Sequence, residues 1–535
     1  AFVDGLFQTH VYDGNGGTQS IVNNIDLSGS GGLVWTKRRD SSSNGDHTLY
    51  DTERGTGTGG RLRSNNNQQA YSPTDAVTAF NNNGFSIGAD ASINTNTAEY
   101  VSWTFRKQPK FFDVVTYTGT GSAQTISHNL GTTVGSIFIK RLDAADSWIT
   151  YHRGIGATKF MYLDRTDAAA ETSVYFNNTE PTNSVFTVAT NRRVNQSGST
   201  YVAYLFAHNN NDGGFGPDSE DIIKCGSWDS VQDQAVTVNL GFEPQFVMVK
   251  RSDNTGDWRV FDNMRGLTMG DDAELEWNTS DAEVTSADRL DPTATGFSST
   301  LANGSSGNTH IYMAIRRGGM RTPTAASDVF KVDQGHGSNI PNFESSFPVD
   351  FGLLRQTSGD NFKLSSRLTN GKYLETTSTA AESSNSNYSF DYQDGWVGSA
   401  FGTSYYSWMW KRARGFCDVV CYNGGGGSSI NHNLGVTPEM YWIKCRSDGS
   451  TNRWWAVYHK DATTQASKYL RLDSNQGLSD LGVFHNGTID ASTFSANNGY
   501  SVVNESGQTY IAYLFATLSG VSKVGSFTQS GATNV

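Results

Sequence analysis

Cysteine, charge and long apolar runs are all scarce in this chain, and each shortage excludes something. Four cysteines in 535 residues (Cys225, Cys417, Cys421 and Cys445) are too few for a disulfide scaffold. With no CxxC pair, a structural zinc site is not expected. Cys417 and Cys421 sit in FCDVVCY, which reads as a strand. Residues four apart on a strand are roughly 13 Å apart, too far to bridge each other, whereas Cys421 and Cys445 could meet across neighbouring strands. Charged residues make up only 17% and the formal net charge is −12, so no basic footprint for nucleic acid is expected. No apolar run approaches a membrane span. The opening AFVDGLFQTH has no basic segment followed by an apolar one, so no signal peptide is read there, which leaves the compartment open. Long stretches of helix formers at 3.6 spacing are also missing.

What the chain does have is glycine (57 residues) and aromatics (12%). Aromatic and β-branched content separates it from disordered chains. Short apolar runs broken by Gly, Asn, Asp and Ser read as strands and turns.

The informative feature is repetition. ISHNLGTTVGSIFIK (126–140) returns as INHNLGVTPEMYWIK (430–444), with Leu130 and Leu434 each ten residues before a lysine. VNLGFEPQFVMVK ends on Lys250, IDLSGSGGLVWTK on Lys37, and the divergent SSFPVDFGLLR on Arg355. Each copy continues with a charged turn, a strand carrying an aromatic (HTLYD, WITYH, WRVFD, NFKLS, WAVYH), a short strand, and an aromatic-rich strand (EYVSWTF, TYVAYLF, THIYMAI, SYYSWMW, TYIAYLF). The boundaries are 1–106, 107–217, 218–319, 320–412 and 413–517, with the start of a sixth module at 518–535. A repeat that opens at VSKVGSFTQSG, like KCGSWDS in module 3, points to a segment of a longer polypeptide. Modules 2 and 5 are most alike, which suggests a higher period of three modules.

Seven or eight short strands per module predict an all-β chain, a tandem array of five antiparallel β-sandwich or jelly-roll modules. TYVAYLF is apolar on both faces and should be a central strand flanked by IFIKRL. Asn-Leu-Gly is a turn: Asn tolerates left-handed backbone and Gly supplies positive φ. Pro244 and Pro438 fix the entry to the next strand. About one hundred residues can bury a core alone, so the modules are expected to be beads.

The repeats act as an internal alignment against which candidate sites are weighed. His128 and His432 look like general bases, but Val238 fills the same slot and no nucleophile or orienting acid accompanies them; a structural role is expected. His152 and His459 are replaced by Asp51 and Asp262, which fits a turn or polar-rim position better than a metal ligand. Lys37, Lys140, Lys250, Lys444 and Arg355 read either as exposed strand-end cations paired with a turn carboxylate, contributing under about 1 kcal/mol, or as an anchor repeated once per module; the exposed pair is favoured. Trp148, Trp258 and Trp455 read as core packing rather than sugar platforms. The loop Asn209–Asp221 is rich in oxygen ligands, yet does not match a calcium loop and reads as a linker. No carboxylate pair of a glycosidase stands out. No catalytic, cofactor or metal residue is therefore assigned, and no ligand-binding residue is identified.

The order (His)-Asn-Leu-Gly, Pro, apolar strand ending in Lys, then Trp-aromatic strand resembles a repeat of virion proteins of tailed bacteriophages, especially marine ones. SHNLG (127–131), VNLGFEP (238–244) and NHNLGVTP (431–438) carry the likeness. Module 4 departs from it by lacking Asn-Leu-Gly. The resemblance implies a non-enzymatic structural protein located in the virion, a tail fibre or related appendage. It implies homo-oligomers (trimers by analogy with fibres), other virion proteins as partners, and contact with host surface polysaccharide. It implies no nucleic acid partner, no membrane insertion and no cofactor. The alternatives are an external capsid or filament component acting only in assembly, and a surface-polysaccharide hydrolase. An adhesin should concentrate aromatic surface at one end, an assembly protein should spread it along module junctions, and a hydrolase needs a carboxylate pair in a cleft of one module.

Overall fold

The computed structural model describes all residues except 74, 319, 360, 464–466 and 529–535. Two compact units emerge: Ala1–Asp291 with Gly296–Gly318, and Pro292–Thr295 with Gly319–Val535. The first holds modules 1 to 3, apart from Pro292–Thr295 and residue 319; the second holds modules 4 and 5.

Every module is a larger antiparallel sheet facing a smaller one, as the alternating strand pattern predicts. Four strands recur in each larger sheet. The opening strand is Phe7–Asp13, Phe112–Thr118, Ile223–Asp229, Phe330–Gln334 or Cys417–Asn423. The lysine strand is Gly32–Arg38, Val134–Arg141, Pro244–Arg251, Phe351–Gln356 or Met440–Cys445. Next comes the tryptophan strand: Thr48–Asp51, Ile149–His152, Trp258–Asp262, Lys363–Ser366 or Ala456–His459. The closing strand is Glu99–Arg106, Thr200–Ala207, Thr309–Arg316, Tyr405–Trp410 or Thr509–Phe515. In every module the closing strand lies between the opening and lysine strands, and the tryptophan strand continues the sheet beyond the lysine strand.

Because the closing strand is central, both its faces need cover. One face, for example Tyr510, Ala512 and Leu514, packs on Phe494 of the smaller sheet and forms the module's own core. A stacked aromatic pair recurs between opening and closing strands: Tyr12 on Tyr100 at 5.3 Å, Tyr117 on Tyr201 at 5.0 Å and Tyr422 on Tyr510 at 5.4 Å. The opposite face covers nothing inside the module. In module 2 it is Val202, Tyr204 and Phe206, all fully buried, so its cover must come from elsewhere in the unit.

In the first unit that cover is the other modules. Phe7 and Phe105 of module 1 meet Phe246 of module 3 and Phe206 of module 2, with ring centroids 5.2 and 5.4 Å apart. Trp35 of module 1 stacks on Trp277 of module 3 at 4.1 Å. Phe138 of module 2 lies 5.9 Å from Trp277. Three modules thus share an aromatic centre, and the expectation of independent beads gives way: a central strand apolar on both faces cannot be satisfied by one sandwich alone.

The Asn-Leu-Gly turn is built by a division of labour. Gly131, Gly241 and Gly435 hold φ of 65°, 78° and 74°. The preceding asparagines are not among the left-handed residues. Instead the Asn129 and Asn433 N–H groups donate to Asp113 and Asp418 at 2.8 and 2.7 Å. All four cysteines are free and buried. Cys421 and Cys445 do not pair, because the closing strand runs between their two strands. No helix among the described residues is long and apolar enough to cross a membrane.

Candidate functional site

The repeated lysine is where the modules differ most from the expectation of an exposed ion pair. Lys37, Lys140, Lys250 and Lys444 are fully buried. A buried ammonium requires acceptors, and each finds one in the backbone of another module. Lys37 donates to Ser280 and Asp281 carbonyls at 3.2 and 2.8 Å. Lys140 donates to Asn67 at 3.0 Å, Lys250 to Thr166 at 3.0 Å, and Lys444 to Thr379 at 3.0 Å. Burial lowers all four from the usual lysine range to about 8. In the first unit the donations run in a cycle: module 1 to 3, 3 to 2, and 2 to 1. In the second unit module 5 donates to module 4.

The tryptophans belong to the same lock. Trp148, Trp258 and Trp455 have no exposed surface. Their indole N–H groups donate to the carbonyls of Arg63, Tyr162 and Glu375 at 2.8, 2.8 and 2.9 Å. His47 fills the slot in module 1. Its Nδ1 accepts from Trp35 at 2.9 Å, which leaves Nε2–H to donate to the Glu276 carbonyl at 3.0 Å. Four residues after each of these carbonyls comes the lysine acceptor (Asn67, Thr166, Ser280, Thr379). Three residues later an N–H closes a backbone bond to the module that donated: Ala70 to Leu142, Ala169 to Ser252, Glu283 to Arg39 and Glu382 to Arg446, at 2.8–3.0 Å. Arg39–Glu283 and Arg446–Glu382 add ion pairs, each at 2.9 Å. One strip of loop thus takes a tryptophan, a lysine and a backbone carbonyl from its neighbour.

The slot that His152, Asp51 and Asp262 share also faces a neighbour. His152 Nδ1 accepts from Gly154 N–H at 3.0 Å, so Nε2–H donates to the Tyr312 carbonyl at 3.0 Å. Burial pushes this imidazole down to about 3, so it is neutral. Asp51 accepts from Tyr204 at 2.8 Å and Asp262 from Trp103 at 3.0 Å. Each aspartate is held by an arginine three residues on: Arg54 and Arg265, both at 2.6 Å. These arginines escaped sequence reading, although DTER and DNMR carry the shared Asp-x-x-Arg spacing. His459, in module 5, accepts the Asp461 N–H on Nδ1 at 3.2 Å.

His128 and His432 are part of the turn. Each accepts on Nδ1 from the leucine two residues on, at 3.3 and 3.1 Å, and packs against Phe186 or Phe494. His432 Nε2 reaches the Asp490 carbonyl at 3.2 Å. Burial lowers both imidazoles below the ordinary range. In the loop Asn209–Asp221 the oxygens are used by the chain itself. Asp221 accepts the Asn211 and Gly213 N–H groups, and Asn209 those of Ile222 and Ile223. No group of three His, Cys, Asp or Glu among the described residues is placed to hold a metal ion.

Two features bear on hydrolysis. A groove of about 510 Å³ between modules 1 and 2 is lined by Arg54, Thr58, Tyr117, Asp143 and Tyr201 among others. Asp143 is its sole carboxylate among the described lining residues; Arg141 at 2.7 Å helps hold it below the usual range. In module 3, burial and then the adjacent Asp257 raise Glu276 to about 7. These two carboxyls lie side by side in one cross-strand slot, whereas glycosidase carboxyls stand at least about 5 Å apart to admit the sugar. Modules 1 and 4 put Asp46–Arg63 (2.9 Å) and Asn361–Glu375 (3.0 Å) in the same cross-strand slot, so the pair is a variant of a structural contact.

A family model described as a domain of unknown function (DUF7483) matches residues 4–317 and 350–535. The unmatched interval includes the opening strand of module 4. No curated protein matches the chain.

Proposed function

The chain belongs to the DUF7483 family, and on that premise we propose a structural role: a component of a tailed-phage virion, a fibre-like appendage or adjoining part, whose modules are made to bind one another. The observation that carries this reading is the use of the repeated residues. The recurring Lys and Trp side chains of modules 2, 3 and 5 are buried against a neighbouring module's backbone. Aromatic surface therefore lies along module junctions, which favours an assembly part over an adhesin with an aromatic tip. The phage assignment rests on the likeness of the His-Asn-Leu-Gly repeat.

The test is immunogold labelling of purified particles of the phage encoding the chain, together with binding of the purified chain to intact host cells. Label at a fixed place on the particle, without saturable glycan-competed binding, supports an assembly part. Label together with such binding would move the reading to a receptor-binding appendage. Unlabelled particles, or sugar release from host polysaccharide, would overturn it.

A further inference from the structure

We infer that modules 4 and 5 are two members of a closed triplet, and that their open face receives a sixth module of the same repeat, carried by the polypeptide beyond the Leu518–Ser522 turn. The first unit supplies the template. Two residues before each lysine, Trp35, Phe138 and Met248 are fully buried there. In the second unit the same slot holds Leu353 and Trp442, both partly exposed. Trp103, Tyr204 and Met313 of the closing strands are fully buried, whereas Trp408, and its neighbour Trp410, are partly exposed. Beside them Val332 is 43% exposed. Large aromatic surface left open on one face marks an interaction site.

The polar groups of the lock are also left over, one half on each module. On module 4, Arg355 stands in the lysine slot, and its Nε is buried without an acceptor among the described residues. Its guanidinium lies 4.5 Å from the ring of Phe362, which fills the tryptophan slot. Thr357 N–H makes the bond to Ser404 that its counterparts make within their own modules. Among the described residues, however, its carbonyl receives no neighbour's N–H of the kind that Arg39, Leu142, Ser252 and Arg446 receive. On module 5 the receiving strip maps onto Arg471, Asn475 and Leu478 by the same spacing. Leu478 is 42% exposed. One further module would satisfy both halves, offering its loop to Arg355 and its lysine to Asn475. This is the place that module 3 takes between modules 1 and 2.

The chain leads toward that occupant. The bridges Gln108–Phe112 and Ala413–Cys417 close the turns that hand modules 2 and 5 their opening strands, and Leu518–Ser522 is a third such bridge. The residues that follow, KVGSF at 523–527, match KCGSW at 224–228 in the opening strand of module 3. Trp228 packs on Phe297 at 5.6 Å and His310 at 5.0 Å within module 3, while Phe527 is 87% exposed. A sixth module would occupy the third place of its triplet, as module 3 does.

The test compares the 535-residue chain with the same chain lengthened by the next hundred residues of its own reading frame. Each is examined with and without Trp442→Glu, with circular dichroism as the folding control. The expected result is a several-fold drop in binding of an apolar dye on lengthening, a higher melting temperature for the second unit, and loss of both gains in W442E. The 535-residue chain itself should tolerate W442E. A reading frame that ends before another module, or lengthening without effect on dye binding and melting, would overturn the proposal. So would a 535-residue chain that dimerises in sedimentation through this face and is made monomeric by W442E, since a second copy would then be the occupant.

Discussion

The two units carry the same repeat and differ in one respect: the first closes its cycle of locks and the second stops at two members. The second unit also carries large aromatics in the slots that face the centre. Trp408, Trp410 and Trp442 are partly exposed, while Trp35 and Trp103 are buried. Hydrophobic stabilisation follows area removed from water rather than residue type. The comparison therefore separates what a module contributes by itself from what closure contributes.

The largest break is expected at the closed centre. Trp103→Ala should cost about 3–5 kcal/mol in the first unit, because a buried indole leaves a cavity and its hydrogen bond to Asp262 is lost. Trp408→Ala should cost less than half of that. Denaturant unfolding followed through both transitions measures the difference; equal costs would remove the distinction between closed and open faces.

Next comes the cation slot. Lys140→Met leaves the Asn67 and Asp146 carbonyls without their donor and should destabilise the first unit by roughly 1–3 kcal/mol. Arg355→Met removes a cation whose Nε already lacks an acceptor and should be neutral or slightly stabilising. A loss at Arg355 as large as at Lys140 would mean that module 4 already satisfies its arginine.

A pH series sharpens the contrast without mutation. Burial holds the lysines at about 8, against an ordinary 10.5, so between those values the unfolded chain binds more protons. Stability should thus rise as pH climbs from 8, by up to about 1.4 kcal/mol per lysine per pH unit. Three such lysines lie in the first unit and one in the second, so the first should respond more steeply. From about pH 9 other groups begin to offset this rise. The thiol of Cys225 is pushed up to about 12, and Tyr12 and Tyr204 are raised by burial, so these protons leave the unfolded chain first. Thermal melts at pH 8 and 9 read the slope.

The smallest effect belongs to the two turn histidines. His128→Val reproduces what module 3 does with Val238 and should cost under about 1 kcal/mol. His432→Val should cost slightly more, because it gives up the bond to the Asp490 carbonyl. A larger loss at either residue than at Lys140 would reopen the turn to a functional role.

Much of this was legible in the chain itself. The repeat predicted which strands recur, and TYVAYLF predicted a central position because it is apolar on both faces. Gly131 and Gly435 were readable as turn residues from their chemistry. The lysine, tryptophan and histidine slots stood out as recurring. Their destinations did not, because Lys140, Trp148 and His152 donate to main-chain carbonyls. Asn67, Arg63 and Tyr312 accept through an oxygen that every residue carries, so neither side-chain type nor spacing marks them in advance. Cys421 and Cys445 failed for a related reason: strand order, not strand membership, decides which side chains meet.

The sequence by itself determined an all-β chain of five repeated modules, since period-two alternation and turn residues act over a few neighbours. Only the tertiary structure decided that the modules interlock through buried lysines, and that one triplet is closed while the other presents an open face. That outcome depends on which backbone carbonyls come within about 3 Å of an ammonium, a matter of packing between segments up to 244 residues apart.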